Sequence, residues 1–313
     1  MGSQFVDFNE DGHNDYITAT FDGSVWVSFG SEQGFGEPQF ITDAEGQRLI
    51  ICSYWDYDKE THLNDGRALP GGKANDVRCI SAFAFDWDAD GDYDLLLGSY
   101  EKGLLYRQMN EGSNQQPKFT GQNIAVTAGG VPISLLGKMT TARLVDWDGD
   151  GDQDLLVGSF DAETSEVQSA PEIETRGGSI YLALNQGTLG APDFSALTPL
   201  IETASNGGSA PTGPNEGLYF DGDGDLDLVV GAYSIWTPIG KDLTIEEEQL
   251  VAELRQQQTE NYEAFSQAED DSSRQAAYKA IGKTSEALDA LVPSPERNGF
   301  IWWYERKGGK AQG

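Results

Sequence analysis

The chain is short of the residues that most reactive sites need. Its 313 residues include only two histidines, two cysteines and three methionines. His13 falls in an acidic loop and His62 in an insertion, and no serine sits in a nucleophile-elbow context, so a catalytic triad has no visible basis. Cys52 and Cys79, with two scattered histidines, are too few soft ligands for a zinc site. They read either as a disulfide, which suits an oxidising compartment, or as two unpaired, partly buried thiols. Basic residues are scarce as well: 20 Lys and Arg face 52 Asp and Glu, a net charge of −32. A phosphate backbone needs a basic footprint, so nucleic acid is excluded as a partner, and anionic membrane surfaces are disfavoured. No apolar run approaches the ~18 residues of a membrane span. Residues 1–9 lack a basic start and an apolar stretch, so no signal peptide is visible; one is expected to have been removed or to lie upstream. Gly-rich phosphate loops are absent too.

What is present is a core and many turns. Hydrophobic residues make up 38% of the chain and aromatics 11%, enough to oppose disorder despite the charge. The 38 glycines follow no collagen period and point to tight turns.

The chain also repeats itself. Four acidic loops read Asp7-Phe-Asn-Glu-Asp-Gly-His-Asn-Asp15, Asp86-Trp-Asp-Ala-Asp-Gly-Asp-Tyr-Asp94, Asp146-Trp-Asp-Gly-Asp-Gly-Asp-Gln-Asp154 and Tyr219-Phe-Asp-Gly-Asp-Gly-Asp-Leu-Asp227. Each is followed by a short apolar run, such as Leu95-Leu-Leu-Gly-Ser, that reads as a buried strand. A second element recurs position by position in Gly23-Ser-Val-Trp26, Gly103-Leu-Leu-Tyr106, Gly178-Ser-Ile-Tyr181 and Gly299-Phe-Ile-Trp302. A third follows in three units, as Pro38-Gln-Phe40, Pro117-Lys-Phe119 and Pro192-Asp-Phe194. Proline favours edge strands, so this element is expected to be the outer strand.

One unit is therefore strand, acidic loop, strand, turn, strand, turn, edge strand: the four-stranded antiparallel blade of a β-propeller. The fold expected is all-β, one propeller-type domain over 1–313, with units near 1–45, 79–125, 139–200 and 215–313. Insertions are expected at 47–66, where Asp56, Asp58, Glu60 and His62 alternate as on an exposed hairpin, and at 161–175. The largest, 240–297, reads as an α-helical hairpin. Thr244-x-x-Glu247 is a capping box, Val251, Leu254, Tyr262 and Phe265 follow helical spacing, and Asp270-Asp-Ser-Ser marks the turn before Ala277, Ile281, Thr284, Leu288 and Leu291.

The loops carry the chemistry. Asp-x-Asp/Asn-x-Asp-Gly-x-x-Asp sets oxygen ligands at positions 1, 3, 5 and 9, lets Gly at 6 turn sharply, and turns the carbonyl of position 7 inward, as in a calcium loop without its distant Glu. So many carboxylates in nine residues repel one another without a counter-charge, and Ca²⁺ suits the spacing better than Mg²⁺. The expected metal residues are Asp7, Asn9, Asp11, His13 (through its carbonyl) and Asp15; Asp86, Asp88, Asp90, Asp92 and Asp94; Asp146, Asp148, Asp150, Asp152 and Asp154; and Asp221, Asp223, Asp225 and Asp227. Up to four Ca²⁺ ions follow. The second and third sites are complete, the first has a neutral Asn9, and the fourth is weak or incomplete because Tyr219 replaces its first Asp.

This pattern resembles the FG-GAP-like or VCBS-type repeat family, which includes the propeller head of integrin α subunits. The resemblance covers nearly all of the chain outside the three insertions. It implies a calcium-stabilised β-propeller, extracytoplasmic (secreted, periplasmic or at the cell surface), engaged in adhesion or in recognising a protein or polysaccharide. The loop residues named above, Tyr219 apart, take the family's ligand positions. Integrin-type propellers have seven blades, whereas four units are recognisable here. The fourth ends at Arg306-Lys307-Gly308 without a Pro-x-Phe strand, so the chain is cut from a longer protein, closes a small ring by another contact, or takes a strand from a partner or oligomer.

Phe8, Trp87, Trp147 and Phe220 share one slot per unit, and Trp26, Tyr106, Tyr181 and Trp302 another. Once-per-blade aromatics are expected to pack between blades, while Trp236 and Trp303 fall off these slots as surface contacts. No catalytic residue and no organic cofactor is expected. The function expected is a calcium-binding recognition or adhesion module, with a structural subunit of a surface assembly and a polysaccharide-acting enzyme as the competing classes.

Overall fold

The computed structural model describes residues 2–64, 77–135, 138–162, 177–201, 215–218, 225–236, 240–268, 270–294 and 296–307. It divides into two compact units, one of Met1–Val167, Thr175–Tyr233 and Gly299–Gly313, the other of Gln168–Glu174 and Ser234–Asn298.

The first unit is a series of small antiparallel sheets whose strands lie side by side in chain order. The first sheet joins Ser3–Val6, Asp15–Ala19, Val25–Ser28 and Gln39–Phe40. The second joins Cys79–Phe85, Asp94–Ser99, Leu105–Gln108 and Ile124–Ala125. The third joins Lys138–Val145, Asp154–Ala162, Gly177–Ala183 and Thr198–Ile201. The fourth has three described strands, Asn215–Leu218, Asp227–Trp236 and Glu296–Tyr304. The register repeats: Val6 faces Asp15, Phe85 faces Asp94, Val145 faces Asp154 and Leu218 faces Asp227. Each acidic loop thus joins the first two strands of its sheet. This meander is consistent with propeller blades, and no closed propeller is formed among the described residues.

Successive sheets pack against one another through apolar side chains on both faces of their inner strands. Ile17, Val25 and Val27 of the first sheet meet Ala82, Leu95, Leu97 and Tyr106 of the second. Leu96 and Leu105 of the second meet Ala142, Leu155 and Val157 of the third. Leu156, Ile180 and Leu182 of the third meet Leu228 and Val230 of the fourth. The approach is close: a Cβ on Gly98 would run into the Thr140 carbonyl of the next sheet, which explains the glycine ending that apolar run.

Some of the recurring aromatics, Phe8, Trp87 and Tyr106 among them, pack between sheets, whereas Trp26 packs on Phe40 of its own sheet, Trp302 is exposed and Phe220 lies outside the described residues. Phe8 of the first loop stacks against Phe119 beside the second sheet, ring centroids 6.5 Å apart, and Trp87 meets Phe194 beside the third edge-on at 5.9 Å. Here the Pro-x-Phe reading needs correction. In the second and third sheets Phe119 and Phe194 are buried and make single bridges to Asn110 and Asn185, while the outer strands are Ile124–Ala125 and Thr198–Ile201. The first sheet does use Gln39–Phe40 as its outer strand, but its counterpart of Phe119 and Phe194 is Phe35. The residue after each of the three donates to the end of the third strand: Gly36 to Phe29, Thr120 to Met109 and Ser195 to Leu184. A turn shorter than those in the other two sheets shifted the motif out of register.

The first insertion forms a hairpin of Ser53–Asp56 and Thr61–Asn64, with Trp55 edge-on to His62 at 4.9 Å. Asp56 accepts the amides of Asp58 and Lys59 and pairs with the Lys59 ammonium, so this acid closes a turn. Leu49, Ile50 and Ile51, at the start of the expected insertion, are buried core residues. Cys52 and Cys79 lie in the first core, not bridged to one another. Burial pushes the Cys79 thiol well above its usual range. The expected insertion at 161–175 lies outside the described residues from 163 onward.

The second unit is the helical hairpin. Helix α1 spans Ile245–Ser266 and α2 spans Asp271–Asp289. Thr244 and Glu247 form the reciprocal capping box, and Asp270 caps α2 through the Ser273 amide. The helices meet through Asn261 to Thr284 at 2.9 Å, and Val251, Ala277, Thr284 and Leu288 are buried. Tyr262 is exposed, so the apolar stripe is narrower than the spacing suggested. No helix is long and apolar enough to cross a membrane.

Candidate metal centre

The first three loops share one hydrogen-bonded frame. At position 1, Asp7 accepts the amides of Asp11 and Gly12, both at 2.9 Å. Asp86 accepts Asp90 and Gly91, both at 3.1 Å, and Asp146 accepts Gly149 at 2.8 Å and Gly151 at 3.2 Å. At position 5, Asp11, Asp90 and Asp150 each accept the amide of position 7, that is His13, Asp92 and Asp152. The glycines at position 6 have φ of +91°, +97° and +98°, where L-residues are strained. Position 4 is left-handed too: Glu10 at +57°, Ala89 at +60° and Gly149 at +78°.

Position 9 does a different job. Asp15, Asp94 and Asp154 are almost fully buried. One oxygen of each accepts the amide of loop position 2, from Phe8, Trp87 and Trp147, all at 2.9 Å. The other accepts an amide just beyond the third strand: Gly30 at 2.8 Å, Asn110 at 2.7 Å, Asn185 at 2.8 Å. In the fourth sheet Asp227 accepts Arg306 at 3.1 Å. This residue clamps the loop to its own blade, by charge-assisted bonds that are stronger than neutral ones.

Sequence reasoning missed the other end of that clamp. Asn110 and Asn185 also accept two amides each through their side chains, from Gly112 and Lys118 and from Gly187 and Asp193. The signal was in the sequence as a repeated Asn-x-Gly. Asn114 was missed as well; it holds the Tyr93 amide and the Gly91 carbonyl of the second loop and reaches Glu10 of the first.

Two groups of carboxylates converge among the described residues. Asp86, Asp88 and Asp90 each offer an oxygen within 4.8 Å of the others, and so do Asp146, Asp148 and Asp154. In the first loop the neutral Asn9 stands at position 3 and donates to Asp11 at 3.0 Å, so that site carries one carboxylate fewer. Asp221 and Asp223 lie outside the described residues; Asp225 is half-buried.

Burial, and after it crowding, shows in the pKa values of the loop carboxyls. Burial, then the charges of Asp90, Asp88 and Asp86, raises Asp92 to about 6. Burial raises Asp94 to about 7, against the opposing pull of the Asn110 and Trp87 amides. Burial also raises Asp152 and Asp154. One carboxylate oxygen of Asp92 and one of Asp152 are buried without a hydrogen-bond partner. Converging carboxylates, raised pKa values and orphaned oxygens fit a hard cation with oxygen ligands.

Away from the loops, a cleft of about 400 Å³ lies against the inner strands of the first three sheets, lined by Gln4, Phe5, Phe83, Arg143 and neighbours. Arg143 lies over the Phe83 ring at 5.1 Å and donates to the Ser3 carbonyl at 2.9 Å. Among the described residues its lining includes the Arg143 cation.

Among protein families, the FG-GAP-like repeat matches residues 86–157, from the start of the second loop into the strand after the third. No curated protein matches the chain, and no solved structure does. The chain therefore carries an FG-GAP-like repeat where its two best-formed acidic groups lie, consistent with a β-propeller-like binding module.

Proposed function

We propose that this is a calcium-binding recognition module of the β-propeller type, acting outside the cytoplasm on a protein or polysaccharide. The observation that carries the reading is the convergence of Asp86, Asp88 and Asp90, and of Asp146, Asp148 and Asp154, on frames already set by backbone hydrogen bonds. When bound, the ion would be held by these side chains, with Asp92 and Asp152 completing the sites. It would neutralise the crowded carboxylates of each loop. Its role is structural: a ligand that binds only the folded state adds stability by mass action, about 2.7 kcal/mol at a hundred times its dissociation constant.

Calorimetric titration of chelator-treated protein tests this. Two tighter calcium sites, one intermediate and one weak are expected, with a higher melting temperature in calcium than in EDTA. Demonstrably metal-free protein that melts identically with and without calcium sinks the reading.

A further inference from the structure

The three junctions between sheets follow one rule, and the two ends of the series carry the two unused halves of it. At each junction the trailing face of one sheet meets the leading face of the next. On the third strands, Val25, Leu105 and Ile180 occupy one trailing slot, each no more than 1% exposed. Their counterpart in the fourth sheet is Ile301, placed by the Arg306 clamp five residues on, and it is 80% exposed. Trp303, in the slot of Val27 and Leu182, is exposed as well. On the leading side, Phe119 and Phe194 are capped by Phe8 and Trp87 of the preceding loop and buried. Phe35 is their counterpart in the first sheet and is 55% exposed. Phe5, in the slot of the buried Ala84, is 61% exposed and packs with tilted rings on Phe35 and on Tyr16, at 5.8 and 5.0 Å.

An apolar face with buried counterparts in its sister sheets is an interface side. We propose that the trailing face of the fourth sheet docks on the leading face of the first sheet in a second copy of this chain. The contact continues the junction already repeated three times, and Ile301 and Trp303 enter against Phe5, Tyr16 and Phe35. Both faces are solvent-exposed among the described residues of one and the same chain. Phe220, outside the described residues, holds the same sequence position as Phe8 and Trp87, the side chains that cap Phe119 and Phe194. The contact is heterologous: it closes a ring if the rotation per copy allows and grows into a filament if it does not. The proposal stands independently of calcium and of the external ligand.

The test uses the full chain, Phe35→Glu and Ile301→Glu, sized by light scattering across a concentration series. Both substituted positions are exposed, so the variants keep the fold, which circular dichroism verifies. The parent chain is expected to self-associate, and each variant alone to associate at least ~30-fold more weakly, equivalent to about 2 kcal/mol. An equimolar mixture should form a one-to-one pair, because each variant keeps the face the other has lost. Four results overturn the proposal. The parent chain stays monomeric at high concentration. Association survives both substitutions. The mixture fails to pair. A Phe35→Cys, Ile301→Cys chain forms the cross-link within a monomer.

Discussion

Asp7 and Asp86 accept the same pair of amides, and Asp15 and Asp94 close the same two clamps. The first and second loops part at position 3, where one carries Asn9 and the other Asp88. With Asn9 the loop satisfies itself, because the amide donates to Asp11. With Asp88 a third carboxylate joins Asp86 and Asp90, and the repulsion asks for a cation. Positions 1, 6 and 9 hold the same frame in both loops, so the difference in their appetite for metal falls on position 3. Those two properties can be separated by substitution.

The largest effect should come from the clamp. Asp94→Ala strands the buried amides of Trp87 and Asn110, each costing about 1–3 kcal/mol, so a loss of roughly 3 kcal/mol is expected in calcium or in EDTA. Asp88→Ala, on an exposed side chain, should change stability by less than about 0.5 kcal/mol in EDTA and abolish calcium binding at that loop. Denaturant melts of both variants in both buffers check this. Equal losses in EDTA would erase the distinction between frame and ligand.

Next in size is the response to pH. Asp92 at about 6 and Asp94 at about 7 stand above their unfolded values near 4. Between pH 4 and 7 the metal-free fold therefore holds more protons than the unfolded chain, and its stability falls as pH rises through that window. The coupled pair should account for a change on the order of 2 kcal/mol, less than two separate shifts would give. Calcium should flatten or reverse the slope by holding the ionised forms. A metal-free protein whose melting temperature rises from pH 4 to 7 contradicts the crowding in the second loop.

Turning the first loop into the second is a milder change. Asn9→Asp replaces the donor bond to Asp11 with repulsion, so it should cost about 1 kcal/mol in EDTA. In calcium it should tighten the first site toward the second, read by titration. If calcium affinity is unchanged, position 3 does not set the metal preference.

The sequence made the loops, the strand after each and the helical hairpin legible because these are written locally. A nine-residue spacing, a four-residue apolar run and a capping box each sit within one window. The clamp at Asp94 was not legible as a clamp, because its partner Asn110 lies a whole strand and turn away. For the same reason Phe35 was passed over for Phe40: only the bonds from Gly36 and Thr120 to the ends of their third strands show which phenylalanine shares the slot of Phe119. Closure was illegible on different grounds. It depends on which faces meet, and a face such as Phe5, Tyr16 and Phe35 is assembled from three elements whose register no single window contains.

The smallest effect tests the frame itself. Ala89 at position 4 of the second loop sits at φ +60°, a region that costs an L-residue about 1–2 kcal/mol, and the third loop already uses Gly149 there. Ala89→Gly relieves the strain but loosens the unfolded chain, so a net gain of about 0.5 kcal/mol is expected with calcium affinity unchanged. Glu10 holds the same conformation in the first loop at +57°, yet its carboxylate takes bonds from Asn114 at 3.0 Å and Gln115 at 2.7 Å in the next sheet. Glu10→Gly should therefore lose what it gains, leaving stability level or lower. Paired melts of the two variants decide whether position 4 of the first loop is kept as glutamate for its own backbone or for its neighbour: a gain in both would assign it to the backbone alone.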